Sequence, residues 1–232
     1  MSKVAIIPAR GGSKRIPRKN IRPFLGKPII TYTINAALQS GLFDEVMVST
    51  DDADIADVAR QSGASVPFLR GTETASDMAT TGAVLLEVLD QYAQQETTFD
   101  YGCCLYPTAP FIKPDLLKRA FSMLTEKQFD TVYPVQPFNF PVQRSVLLRD
   151  SKVQWFQPEH ALTRSQDLEP VYHDAGQFYF FNVNAFQQIR LLITDNSGGI
   201  LISELEASDI DTETDWKIAE MKYQLGMMDD KR

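Results

Sequence analysis

Residues 1–135 alternate short apolar runs with segments of helical period, a pattern that restricts the chain to folds in which parallel strands are joined by crossover helices. Val4–Ala9 reads as a strand, Ile29–Leu38 as a helix closing near Ser40-Gly41, Glu45–Thr50 as a strand and Asp52–Ser62 as a helix stopped by Gly63. Ala64–Leu69 follows as a strand whose Pro67 marks a sheet edge or a strand end. The rhythm continues through a helix over Thr81–Gln95, a buried strand at Tyr101–Tyr106, a helix over Pro114–Glu126 that opens on proline, and a strand at Thr131–Val135.

Between Gln136 and Ala175 the alternation stops. Four prolines (137, 141, 158 and 170) and the aromatics Phe138, Phe140, Trp155, Phe156 and Tyr172 occupy a stretch with no helical period. Forty structureless residues inside one compact domain are improbable, so the stretch is expected to be a projecting β-arm or an interface element. Strands resume at Gln177–Asn182 and Ile200–Leu205, and Thr212-x-x-Asp215 has the spacing of a capping box opening a helix through Leu225. The expected organisation is one α/β domain from residues 1–135 and 176–225, an arm at 136–175 and a tail at 226–232 that frays. A length of 232 residues with 44% hydrophobic side chains suits one large core.

Composition narrows the function classes. Cys103 and Cys104 are adjacent in an apolar strand, where successive side chains face opposite sides, so they read as buried filler and not as a disulfide or metal pair. His160 and His173 are the only histidines, which excludes a histidine-rich metal site. No apolar run approaches the roughly 20 residues of a bilayer span, and Met1-Ser2-Lys3 before Val4 is too short for a leader, so a cytoplasmic protein without a membrane partner is expected. Residues 1–43 hold eight basic side chains and no acidic one, leaving −15 on the rest of a chain whose net charge is −7. Basicity confined to one end of an acidic protein points to a local anion site, not to a nucleic-acid-binding face.

That basic end is the segment PARGGSKRIPRKNIRPFLGKP at 8–28, directly after the first strand. A loop at the carboxyl end of a parallel strand is where open α/β sheets bind ligands, and Gly11-Gly12 would let backbone N–H groups approach phosphate oxygens beside Arg10 and Lys14. It is neither a dinucleotide glycine motif nor a P-loop. Pro8, Pro17, Pro23 and Pro28 stiffen it beyond what a solvated basic turn requires. Near the other end, Asp209 and Asp211 stand two apart, so in an extended segment both carboxylates project to one side, as hard-oxygen ligands for Mg²⁺ would. Acids favoured at a helix N-terminus are the alternative, which suits Glu213 and Asp215 better.

The 8–28 segment resembles the start of the CMP-N-acetylneuraminic acid synthetase family of nucleotidyltransferases, with CMP-Kdo synthetases as cousins. Three further segments match in order: LRGTETASD, with Arg70 and Ala75-Ser76-Asp77; Tyr106-Pro107-Thr108-Ala109-Pro110, where the family usually has Gln-Pro-Thr-Ser-Pro; and Ser208-Asp209-Ile210-Asp211-Thr212. The resemblance implies a Rossmann-like nucleotide-diphospho-sugar transferase fold, with a mostly parallel sheet, helices on both faces and a dimerisation arm. It implies transfer of CMP from CTP to the anomeric hydroxyl of a nine-carbon acidic sugar, with release of pyrophosphate. CTP would be held by Ala9, Arg10, Gly11, Gly12, Ser13, Lys14, Asn20, Arg70, Ala75, Ser76 and Tyr106. Mg²⁺, for which Mn²⁺ can substitute, would sit on Asp209 and Asp211, and catalysis would fall to Arg10, Lys14 and Asp211. A homodimer is implied.

Departures from the sialic acid pattern bear on the sugar. Tyr106 replaces the usual glutamine, and His173 stands where those enzymes have an arginine of the sugar site. Gln143 and Arg144 follow Phe140-Pro141-Val142 where a sugar-contacting lysine is usual. YPTAPF and the GQFYFF strand most resemble the pseudaminic acid cytidylyltransferases. The expected sugar site is therefore Gln143, Arg144, Arg164, His173, Gln177 and Tyr179, with Arg144 or Arg164 as the carboxylate's cation unless both are surface arginines. CMP-sialic or CMP-legionaminic acid synthesis is the neighbouring alternative. A phosphatase built on the D-x-D, or a non-catalytic nucleotide-binding regulator, is the alternative from another class.

Overall fold

In the computed structural model, which describes residues 1–76 and 78–229, the alternation predicted for the first 135 residues is realised with one exception. Strand β1 (Lys3–Pro8) leads through a two-residue-turn hairpin of β2 (Pro23–Phe24) and β3 (Lys27–Pro28) into helix α1 (Ile30–Ser40). Then follow β4 (Glu45–Ser49), α2 (Ala53–Gln61), α3 (Thr81–Gln94), β5 (Tyr101–Leu105), α4 (Pro114–Glu126) and β6 (Thr131–Pro137). The exception is 64–69. Only Ser65 bridges to Met47, and Pro67, which has no N–H to offer a ladder, ends the pairing there.

The second half comprises a hairpin of β7 (Val146–Arg149) and β8 (Lys152–Trp155), then β9 (Tyr172–Asp174), β10 (Phe178–Asn182), α5 (Val183–Ile189), β11 (Ser197–Leu201) and α6 (Glu213–Asp229). The main sheet runs β11-β6-β10-β5-β1-β4. β4, β1 and β5 are parallel, β10 enters antiparallel between β5 and β6, and β11 is parallel to β6. The sheet is thus mostly parallel with a reversed strand in its middle. β9 lies antiparallel on the far end of β6.

Helices cover both faces. Ile30, Ile34, Ile55, Ala59, Leu117 and Leu124 from α1, α2 and α4 pack on Ala5, Ile7, Val48, Cys103 and Phe180. Leu85, Val88 and Phe186 from α3 and α5 pack on Val4, Ile6, Cys104 and Phe181. The two cysteines are free, buried and turned to opposite faces, as strand alternation requires. A third cluster, Ile16, Phe24, Ile29, Ile210 and Trp216, ties α6 to the basic loop. Among the described residues no helix is long and apolar enough to cross a membrane.

The capping box forms as read. Asp215 accepts from the Thr212 N–H at 2.7 Å, and the Asp215 N–H reaches Thr212 Oγ1 at 3.3 Å. α6 runs beyond Leu225 to Asp229 because nothing in Gly226 or the methionines after it forces a stop. Residues 230–232 of the tail expected to fray lie outside the described residues.

Candidate active site

Because β1, β4 and β5 are parallel, the segments leaving Pro8, Ser49 and Leu105 gather at one sheet edge; antiparallel β10 brings its first residue there too, Phe178 opposite Leu105. A cavity of about 310 Å³ opens at this edge. It is lined by Arg10, Ser13, Lys14, Arg15, Lys19 and Asn20 of the basic loop, by Arg70, Thr74 and Ser76, and by Thr81, Tyr106 and Thr108. Seven of the residues expected to hold the nucleotide thus share one wall system. Ala9 and Gly11 sit beneath it: the Ala9 N–H bonds Ser49 O at 2.9 Å, and the Gly11 N–H bonds Asp51 Oδ1 at 2.9 Å. Gly12 is exposed at the tip of the loop and Ala75 is half-buried behind Ser76. Asp77 lies outside the described residues.

The loop is held from below. Buried Asn20 donates to Arg10 O at 2.9 Å, and Arg18 spans Asp52 and Asp54 at 2.9 and 2.7 Å. A side chain at Gly11 would place its Cβ 2.7 Å from Asp52 Oδ2, so any residue but glycine must push the Asp52 side chain aside; a Cβ at Gly12 would meet nothing within 4 Å. Arg70 is buried, with Nε 3.0 Å from Ser49 Oγ and Nη2 2.6 Å from Ser49 O. Burial pulls its guanidinium below the usual arginine range, and Asp51 and Glu87 partly offset this. Arg70 remains a cation, with Arg10 close enough to repel it. A polyanion between them would offset that repulsion.

The C-terminal turn closes one side. Ile210 is 1% exposed and packs beside Ile16, which leaves its neighbours Asp209 and Asp211 on the outer side, as the two-residue spacing anticipates. Arg15 donates to Asp211 Oδ2 at 2.7 Å, and Lys19 lies 3.5 Å from Asp211 Oδ1 while donating to Ile210 O at 2.7 Å. Both cations line the cavity. Asp209 is held above the ordinary carboxylate range, first by desolvation and then by Asp211. No third carboxylate, histidine or cysteine joins the pair among the described residues. Two crowded hard-oxygen donors beside the basic cavity fit Mg²⁺, an ion that completes its shell with phosphate oxygens and water.

The expected sugar residues are divided. His173 lines a second cavity of about 460 Å³ with Gln136, Phe138, Phe140 and Glu204; its Nδ1 donates to Asp174 O at 2.8 Å and its ring lies 4.9 Å from that of Phe138. Gln143 bonds Glu169 O at 2.8 Å, Arg144 reaches Ser165 Oγ at 3.4 Å, and Arg164 pairs with Asp167 at 2.8 Å, all within the arm. Gln177 is buried, its Nε2 2.5 Å from Glu206 O and its Oε1 without a partner among the described residues. Tyr179 packs instead against Tyr106 at the first cavity, ring centroids 5.7 Å apart.

Sequence reading missed the residues that act across the fold. Arg15 and Lys19 were legible only as members of the basic run. Glu87, on α3, accepts from the Gly71 N–H at 2.8 Å and from the Thr74 hydroxyl, and so anchors the loop that delivers Arg70, Thr74 and Ser76; nothing local to its helix signals that role.

Comparison with known proteins agrees with this geometry. The family model for Cytidylyltransferase matches residues 4–191. A pseudaminic acid cytidylyltransferase of Campylobacter jejuni is 41% identical over 226 residues, 97% of each chain. A CMP-N,N'-diacetyllegionaminic acid synthase of Legionella pneumophila is 36% identical over 231 residues, 96% of each chain. Among solved structures, a CMP:2-keto-3-deoxy-manno-octonic acid synthetase complexed with CTP matches with a TM-score of 0.71 at 18% identity, covering 98% of this chain and 100% of that one, a likeness of fold. A nucleotide-sized basic cavity at the carboxyl edge of the sheet and a relative aligned over nearly the whole length place the chain in the cytidylyltransferase family.

Proposed function

We propose that this protein transfers CMP from CTP to the anomeric hydroxyl of pseudaminic acid and releases pyrophosphate. The observation that carries the reading is the cavity at the ends of β1, β4 and β5, with Arg10, Lys14 and Arg70 on its walls, in a chain 41% identical to a pseudaminic acid cytidylyltransferase over 97% of its length. The anomeric oxygen attacks the α-phosphorus, the bond from that phosphorus to the bridging oxygen breaks, and the hydroxyl proton leaves to solvent or a base. Negative charge grows on the departing pyrophosphate, and preorganised cations aimed at it stabilise the transition state. Arg10 and Lys14 serve that role; Arg70, Ser76 and Tyr106 hold the nucleoside side. Asp209 and Asp211 would hold Mg²⁺ against the triphosphate, where the ion supplies positive charge to the phosphate oxygens.

The sugar would occupy the space between Tyr179 and the His173 cavity, with the arm closing over it from a second copy in a homodimer. A reaction fed by CTP suits the cytoplasm. The 36% identity to a legionaminic acid enzyme supports CMP-legionaminic acid synthesis as a second reading. Pyrophosphate release should be measured across a panel of nine-carbon acids with CTP, with mass identification of the CMP-sugar. CMP-pseudaminic acid as the preferred product supports the proposal; release with none of the acids overturns it.

A further inference from the structure

Past β11 the chain leaves the sheet. The Ile202 N–H still reaches Val135 O at 3.1 Å, and the segment that follows, 203–211, ends on the carboxylates Asp209 and Asp211. It belongs to no strand or α-helix, so no ladder pairs its carbonyls. Side chains do so instead. Gln136 Nε2, from β6, donates to Ser203 O at 2.5 Å, and Gln177 Nε2, from the residue before β10, donates to Glu206 O at 2.5 Å. Lys222 Nζ, from α6, donates to Glu204 O at 3.1 Å and to Ala207 O at 3.2 Å. Lys19 of the basic loop takes the far end, at Ile210 O. Donors from the sheet, a helix and a loop thus converge on one irregular segment.

Gln177 supplies more than packing requires. It is 2% exposed, and its Oε1 has no partner among the described residues. A buried acceptor left unpaired costs stability, and a methionine would fill similar space without that cost. What the glutamine adds is the N–H to Glu206 O. The segment it holds has reason to be held, because Asp209 and Asp211 are neighbouring like charges that would spread apart on a free loop. Mg²⁺ demands near-ideal octahedral geometry, whereas Ca²⁺ accepts a looser and more variable shell. Rigidity of the carboxylates is therefore readable as a preference between the two ions.

We infer that Gln177, Gln136 and Lys222 are positioning residues that fix the backbone of the carboxylate turn, and that this hold tunes Asp209 and Asp211 to Mg²⁺. Gln177, expected to contact the sugar, thereby serves the metal side of the site. The inference rests on the proposed placement of the ion on Asp209 and Asp211.

The test replaces each donor by methionine, as Gln177→Met, Gln136→Met and Lys222→Met. CTP binding is measured by calorimetry in EDTA, in saturating Mg²⁺ and in saturating Ca²⁺. In EDTA the variants should match wild type, because Arg10, Lys14 and Arg70 line the nucleotide cavity without help from these three side chains. The gain in affinity that wild type takes from Mg²⁺ should fall by about tenfold, and the gain from Ca²⁺ by less. Lys222 is only half-buried, so its variant carries the test if a glutamine variant fails to fold. Variants that melt earlier yet keep the Mg²⁺ gain, or that lose the Mg²⁺ and Ca²⁺ gains equally, overturn the inference. A wild type that gains nothing from Mg²⁺ overturns the metal placement and the inference with it. Failure of wild type to turn over any nine-carbon acid would refute the proposed function alone, since none of these binding measurements needs the sugar.

Discussion

Arg15 Nη1 lies 2.7 Å from Asp211 Oδ2, an ion pair that joins the basic loop after the first strand to a turn 196 residues later. Arg15 is 67% exposed, and surface pairs of this kind contribute about 0–1 kcal/mol. Asp211→Ala should therefore lower the melting temperature by only a few degrees. Its activity should fall by at least about 10², and the stabilisation that wild type gains from Mg²⁺ added with CTP should disappear. Thermal melts with and without Mg²⁺ check this; an unchanged Mg²⁺ response in both Asp209→Ala and Asp211→Ala would put the metal elsewhere.

The two glycines of the loop should separate. At Gly11 a methyl group collides with Asp52, whose Oδ1 caps α2 through the Ile55 N–H at 3.0 Å. Gly11→Ala is expected to displace that cap and cost about 1 kcal/mol. Gly12→Ala meets no protein atom, so it should fold like wild type. If the backbone there approaches a phosphate, this variant loses CTP affinity with no loss of stability. Denaturation and CTP titration on the same samples measure both.

Glu87 should act on the nucleotide without touching it. Its carboxylate holds Gly71 and Thr74, and hydrogen bonds to a charged group contribute roughly 1.5–3 kcal/mol. Glu87→Ala should raise the KM for CTP by about tenfold or more with a smaller change in kcat, and Glu87→Gln should recover part of the loss. Equal effects on kcat and KM in both variants would count against a loop-anchoring role.

These residues show where sequence reading reaches and where it stops. The basic loop, the strand ends and the capping box were legible because each is local: apolar run, turn residue and charge lie within a few positions of one another. Cys103 and Cys104 could be assigned to opposite faces from strand periodicity alone. The direction of β10 could not, because FYFFN announces burial on both faces and says nothing of which neighbours it joins. The β7–β8 hairpin was hidden for another reason. Its turn is Asp150-Ser151 at φ +47° and +63° and not the expected Asn-Gly, and its residues are mostly exposed, so no inward-outward pattern marks it. Glu87 acts through a helix register that meets Gly71 and Thr74 only once the chain has folded.

The arm that carries this hairpin leaves Phe140 84%, Leu148 72%, Val153 67% and Leu162 98% exposed. So much apolar surface on one projection calls for a partner, and a second copy is the partner that the family resemblance implies. Sedimentation should show a dimer, and Leu148→Ser with Val153→Ser should shift it toward monomer and reduce turnover. A fully active 26.1 kDa monomer at working concentration contradicts the arrangement.

His173 decides the last expectation, on the sugar itself. Its Nδ1 proton is committed to Asp174 O at 2.8 Å, so Nε2 is the one ring nitrogen left to meet a ligand. An arginine at this position, as in the sialic acid enzymes, would instead offer a planar fork of donors able to clamp a carboxylate bidentately. The Phe138 ring 4.9 Å away further favours an apolar substituent over a hydrated one on that side. The pocket should therefore prefer pseudaminic acid over N-acetylneuraminic acid by at least about 10² in kcat/KM, and His173→Arg should narrow the ratio. Direct competition of the two sugars under limiting CTP, with identification of the CMP-sugar formed, measures it; equal or preferential use of N-acetylneuraminic acid would reject this reading of the pocket.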